Sequence, residues 1–175
     1  MWRMAFITDC RPLAGVLSGT TVLSNPSLAP MFERISRIIF SMFDSGWRPA
    51  RDIDDVICWH RREWNVRADY LVNYTMDIRK SWFQRGRISA EDFANANILV
   101  HTDGGTRAGT CSAAAWCVEA VVRKGGCEVT IPVLLAGTFI TDPISSFTAE
   151  AIALEEAVEA VRALTKATSH QPSDV

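Results

Sequence analysis

Three consecutive runs of strand-type sequence, residues 97–103, 112–122 and 128–140, constrain the fold more than any other part of this chain. Arg123-Lys124-Gly125-Gly126 separates the last two runs with the kind of loop that closes a hairpin. Residues 4–9 read as a further short buried strand and 55–60 as another. Helices alternate with them. Arg11 to Leu17 predicts a brief helix ending near Gly19. After the loop Ser24-Asn25-Pro26-Ser27, Pro30 suits the first turn of the next helix. That helix places Leu28, Met31, Ile35, Ile38, Ile39 and Met42 at three- and four-residue intervals, and Gly46-Trp47-Arg48-Pro49 stops it. Asn65 is placed to cap a helix through Leu71, Val72, Thr75 and Met76. Ser145 or Ser146 caps a last helix with Ala151, Leu154, Val158, Val161 and Leu164 on one face and Glu155, Glu156, Glu159 and Arg162 on the other. Strands joined through helices, followed by three antiparallel strands, specify an α/β fold with a mixed sheet and helices packed on it.

At 175 residues and 48% hydrophobic, the chain can bury one core, so a single domain is expected. Residues 78–96 are mixed and charged and read as a linker, with Ser89 and Glu91-Asp92 starting a short helix. Residues 166–175 read as a polar tail. The net charge of −2 makes no global case for nucleic acid. Its distribution is uneven: residues 1–90 hold 13 Lys/Arg against 9 Asp/Glu, and 91–175 hold 5 against 11. No apolar run approaches the roughly 20 residues that span a bilayer, and no signal-peptide core is seen at the N-terminus. The five cysteines are odd in number and lack close pairs. They read as reduced thiols of an intracellular protein, without distinguishing cytoplasm from nucleus.

Four acidic residues occupy settings that suit metal binding. Asp103 ends the apolar run Ile98-Leu99-Val100-His101-Thr102 and precedes Gly104-Gly105. Asp9 ends Met4-Ala5-Phe6-Ile7-Thr8. Glu150 lies in the first turn of the last helix, and Asp69 opens the helix after Asn65. Each has an ordinary alternative: Asp103 as a turn residue, Glu150 and Asp69 as partners of a helix dipole, Asp9 as a cap. Together they suggest a carboxylate cage for hard cations, which prefer such oxygens to His or Cys.

The blocks around these acids resemble the ribonuclease H family, especially the ribonuclease H-like domains of retroelement polyproteins and their plant-type relatives. Thr102-Asp103-Gly104-Gly105 with Ala114-Ala115-Trp116-Cys117-Val118 looks like the family's first strand and following hairpin. Thr148-Ala149-Glu150-Ala151-Ile152-Ala153-Leu154 resembles its first helix. Phe6-Ile7-Thr8-Asp9-Cys10 is similar to its fourth strand. His60-Arg61-Arg62-Glu63-Trp64-Asn65-Val66-Arg67-Ala68-Asp69-Tyr70-Leu71 looks like its last strand and helix. The family's order is reversed between halves: residues 1–77 correspond to its C-terminal half and 97–165 to its N-terminal half. The resemblance therefore implies a circularly permuted ribonuclease H-like fold, a mixed five-stranded sheet with helices on both faces, or the junction of two tandem copies. A 78–96 linker, at roughly 3.3 Å per residue, could span up to about 60 Å. Residues 1 and 175 would lie near each other, and the strands carrying Asp9 and Asp103 side by side.

The resemblance further implies an endonuclease that cuts the RNA strand of RNA/DNA hybrids with two Mg²⁺ ions, or Mn²⁺ in their place. Asp103 would bridge both ions, Glu150 and Asp9 complete the first site, and Asp69 the second. Gly104, Gly105, Arg61, Arg62, Asn65 and Arg67 would contact the nucleic acid, with Arg79, Lys80, Arg85 and Arg87 extending the basic track and Trp64 offered for stacking. His60 reads as structural or substrate-facing, with no catalytic role assigned, and His101 as a core or hydrogen-bonded residue rather than a metal ligand. Two other readings stand beside this one: a catalytically silent nucleic-acid or protein-binding module, and a fragment active only as a homodimer that exchanges half-domains. No membrane partner is expected.

Overall fold

A computed structural model describes residues 3–50 and 55–169, apart from the side chains of 167–169. The elements in chain order are β1 (Arg3–Thr8), α1 (Arg11–Leu17), α2 (Ala29–Asp44), β2 (Arg48–Pro49), β3 (Ile57–Trp59), α3 (Val66–Ile78), β4 (Trp82–Arg85), α4 (Ala90–Asn95), β5 (Asn97–Arg107), β6 (Cys111–Lys124), β7 (Cys127–Ile140) and α5 (Ser146–Ser169). Short 3₁₀ turns at Pro26–Leu28 and Arg62–Trp64 precede α2 and α3.

The strands form one open, mixed sheet of seven, in the order β2-β1-β5-β6-β7-β4, with β3 also paired to β1. Strand β1 runs parallel to β5 in the register Arg3↔Asn97 through Thr8↔Thr102. Strands β5, β6 and β7 are antiparallel neighbours. The β6–β7 turn has Gly125 at φ +58° and Gly126 at φ +84°. A two-residue hairpin loop of this hand needs positive φ at both central positions, which is why two glycines stand there. Pro132 sits in β7 where the register with β6 shifts between Val118 and Glu119. A residue without an amide proton is tolerated inside a sheet at such an irregularity.

Strand β6 is buried from Cys111 to Ala120, because helices cover both faces of the sheet. Trp116, Val118, Ala120 and Val122 belong to the main core, with Leu154, Val158 and Val161 of α5 and Ile35, Ile38, Ile39 and Met42 of α2. Cys111, Ala113, Ala115 and Cys117 point the other way and pack under Leu71, Val72 and Met76 of α3. Glycines let helix atoms, backbone at Gly104 and side chain at Gly137, close on the strands. A Cβ on Gly104 would lie 2.1 Å from the Glu150 amide nitrogen, and one on Gly137 would lie 2.0 Å from Thr75 Oγ1.

Several expectations require correction. The sheet has seven strands rather than five: β2 and β4 were not foreseen. Residues 78–96 form more than a connection, since β4 pairs antiparallel with β7 and Phe93 of α4 is buried in the main core. Ser89 caps α4 as expected, its Oγ accepting from Asp92 N at 3.0 Å. Asn65 does not cap α3 with its side chain; the amide turns to the sheet instead. Phe32 is buried on α2 where Met31, expected inside, is half-buried. Glu156 is turned inward, accepting from Thr138 Oγ1 at 2.9 Å and Trp116 Nε1 at 3.3 Å. The last helix runs to Ser169, through part of the expected tail. The expected proximity of residues 1 and 175 lies outside the described residues. No described helix is long and apolar enough to cross a membrane.

Candidate metal centre

Thr-Asp occurs at the end of β1 and within β5, and the parallel register sets Thr8 beside Thr102. Asp9 and Asp103 follow directly, so carboxylates from opposite halves of the chain emerge at one point. Both threonines are buried, and Asn65 bonds between the end of β1 and the middle of β5: its Nδ2 donates to Thr102 O at 2.9 Å and to Asp9 Oδ1 at 3.5 Å. Trp59 Nε1 donates to Asp9 O at 3.0 Å, and His60 N to Thr8 O at 3.0 Å.

Helix α5 supplies the third acid. Ser145 Oγ accepts from Thr148 N at 3.1 Å and starts the helix. Gly104 then allows the Ala149–Glu150 backbone to rest against β5. Strand β1 stops at Thr8 while β5 continues to Arg107, so beyond Thr8 this side of β5 has no β1 partner. Glu150 reaches the strand end there. One carboxylate oxygen from each of Asp9, Asp103 and Glu150 lies within 4.8 Å of the others, the one such group of metal-ligating side chains among the described residues.

Asp103 and Glu150 are each only 6% exposed. Burial, then the charge of Asp9, pushes the Asp103 carboxyl up to about 6. Burial, then the charge of Asp103, pushes Glu150 up to about 10. Both causes penalise the charged form, so without a cation the Asp103–Glu150 pair favours holding a proton. Thr8 Oγ1 donates to Glu150 Oε2 at 3.3 Å, and Gly104 N donates to Asp103 Oδ1 at 2.8 Å. This buried triad could bind a metal: its donors are hard oxygens, and a cation would relieve the repulsion that the proton now relieves. Asn65, only 1% exposed, has its Oδ1 without a partner, a polar atom buried beside the same cluster.

The fourth expected ligand stands apart. Asp69 Oδ1 is paired with Arg62, and Asn73 Nδ2 lies 3.4 Å from its Oδ2. Its charge still acts on Asp103. Among the residues expected to contact nucleic acid, Arg61 is exposed and Arg62 is paired with Asp69. Arg67 is paired with Glu119, which also lies 3.5 Å from His101 Nε2. Gly105 packs under Val72 of α3, as Gly104 does under α5. Asn65 is a buried tie between strands. His101 is held neutral, its pKa lowered to about 4 by burial and then by Arg67. Thr8 was not singled out from sequence, although the repeated Thr-Asp was its signal. Glu119 was missed because a buried acid in mid-strand is visible only once its cation is in place.

The chain matches no protein-family model and has no significant match among curated proteins.

Proposed function

We propose that this chain is a metal-dependent endonuclease of the ribonuclease H type, cutting the RNA strand of RNA/DNA hybrids, on a circularly permuted ribonuclease H-like fold. The observation that carries the reading is the parallel pairing of β1 with β5, which brings Asp9 against Asp103 and Glu150. The order of blocks in the sequence had required that pairing, and it joins the two halves within a single chain.

Asp103, Glu150 and Asp9 are the residues that would hold a first Mg²⁺, with Mn²⁺ as a substitute, and Asp69 with Asp103 a second. Two such ions supply an activated water and neutralise the leaving oxygen in phosphodiester hydrolysis. The chain's own groups prepare the site. The Asp103–Glu150 pair must release its proton to bind the ion, and Thr8 holds Glu150 Oε2 in place. Asn65 ties Asp9 to β5 at Thr102, and the short contact at Gly104 keeps α5 close to Asp103. Arg61 is available to a phosphate from the rim.

The Arg62–Asp69 pair favours a second reading, a silent nucleic-acid-binding module whose fourth acid is neutralised by an internal cation. Hybrid cleavage separates the two. Purified protein with Mg²⁺ should cut a labelled RNA/DNA hybrid in its RNA strand and lose that activity on Asp103→Asn. Hybrid binding with no metal-dependent cleavage would select the silent module.

A further inference from the structure

The fourth acid is already occupied. Arg62 opens the 3₁₀ turn that leads into α3, and Asp69 lies in the first turn of that helix. Asn65 N donates to Arg62 O at 2.9 Å, and Asp69 N donates to Asn65 O at 3.1 Å. This backbone path fixes the two residues relative to each other and to Asn65, which is itself tied to Asp9 and β5. Arg62 takes Asp69 Oδ1, and Asn73 lies near Oδ2, so both carboxylate oxygens face donors. The guanidinium also feels the charges of Asp103 and Asp9. It is a positive group at the edge of the acidic cluster, held on the one acid that does not join the triad.

We propose that Arg62 is a resident counter-cation that competes with the second metal ion for Asp69, so that the triad loads first and the Asp69 position loads only when Arg62 lets go. This rests on the metal-binding reading above. A guanidinium does not lose its proton in this setting, so the competition cannot be relieved by raising pH. The pair is partly exposed, with Arg62 71% and Asp69 29% accessible in their side chains, which limits its strength. An exposed ion pair is worth up to a factor of about 5 in a binding constant. Arg61, adjacent in sequence and of equal charge, provides the control, because any general field effect of one positive charge should appear there too.

Calorimetric titration of Mn²⁺ into the metal-free full chain tests this. Two binding events are expected for the unmodified protein. Arg62→Gln should tighten the second by more than about twofold and up to about fivefold and leave the first nearly unchanged, whereas Arg61→Gln should move neither by more than about twofold. Arg62→Lys, which keeps the charge but loses the fork, should fall between them. Asp69→Asn should remove the second event whether or not Arg62 is present. Equal shifts from Arg62→Gln and Arg61→Gln would overturn the proposal, and so would a tightening by Arg62→Gln that survives Asp69→Asn. If neither the unmodified protein nor Arg62→Gln binds Mn²⁺ at all, the metal reading itself fails, and the counter-cation role falls with it.

Discussion

Glu150 carries the largest burden at the scale of single residues. Its ordinary value of 4.5 rises to about 10 in the fold, so between those limits the folded chain binds more protons than the unfolded one. The sign follows: this contribution to stability is fully present below about pH 4.5 and is lost as pH rises toward 10. Asp103 acts in the same direction over a lower range, from 3.8 to about 6. The metal-free protein should therefore melt at a lower temperature at pH 9 than at pH 6. Glu150→Gln should flatten that dependence, and added Mg²⁺ should raise the melting temperature most at the alkaline end. Thermal melts across pH check this; a metal-free protein that gains stability from pH 6 to 9 would remove the shared-proton account of the cluster. His101 works in the opposite sense, since its lowered value makes stability fall as pH drops from 6.5 toward 4. The acids themselves were legible in the sequence because strand ends and helix starts announce them. Their electrostatic partners were not. Arg67 with Glu119 is set by how α3 lies on the sheet, and Arg62 with Asp69 by the 3₁₀ turn that leads into α3; neither pairing is announced by residue type along the chain.

Between elements, the decisive contact is α5 on β5. Gly104 faces the Glu150 backbone, and a methyl there would meet main-chain atoms that cannot step aside. Gly104→Ala should destabilise the fold by about 1–3 kcal/mol and also weaken Mn²⁺ binding, because it pushes Glu150 away from Asp103. Gly105→Ala meets a Val72 methyl on the opposite face at 2.7 Å. It should cost stability through α3 while leaving Glu150 in place, so its Mn²⁺ affinity should stay near that of the unmodified chain. Chemical denaturation and calorimetry on the two variants separate these effects; equal losses of metal affinity would refute the assignment of Gly104 as the spacer that sets the site. Strong periodicity made α2, α3 and α5 readable, and the Gly-Gly turn made the β6–β7 hairpin readable. Strand β4 was hidden because Trp82-Phe83-Gln84-Arg85 lies at a sheet edge, with Phe83 and Arg85 exposed and no clean alternation of apolar and polar residues. The same edge position made residues 78–96 look like a linker.

For the whole molecule, the question is how one chain brings acids from its two halves together. A parallel β1–β5 pair with α5 across its end is sufficient: Asp9 comes from the first half, Asp103 and Glu150 from the second. The seven-stranded sheet extends that core on both sides, through β2 and β3 along β1 and through β4 beyond β7. The order of blocks in the sequence made the β1–β5 pairing foreseeable, whereas the extra strands had no counterpart in the blocks that carry the resemblance. The most direct test is a crystal of the protein soaked in Mn²⁺ and measured at the manganese absorption edge. The expected result is an anomalous peak coordinated by Asp9, Asp103 and Glu150 of the same chain. A peak elsewhere, or three carboxylates drawn from different chains, would contradict the single-chain site on which the proposed function depends.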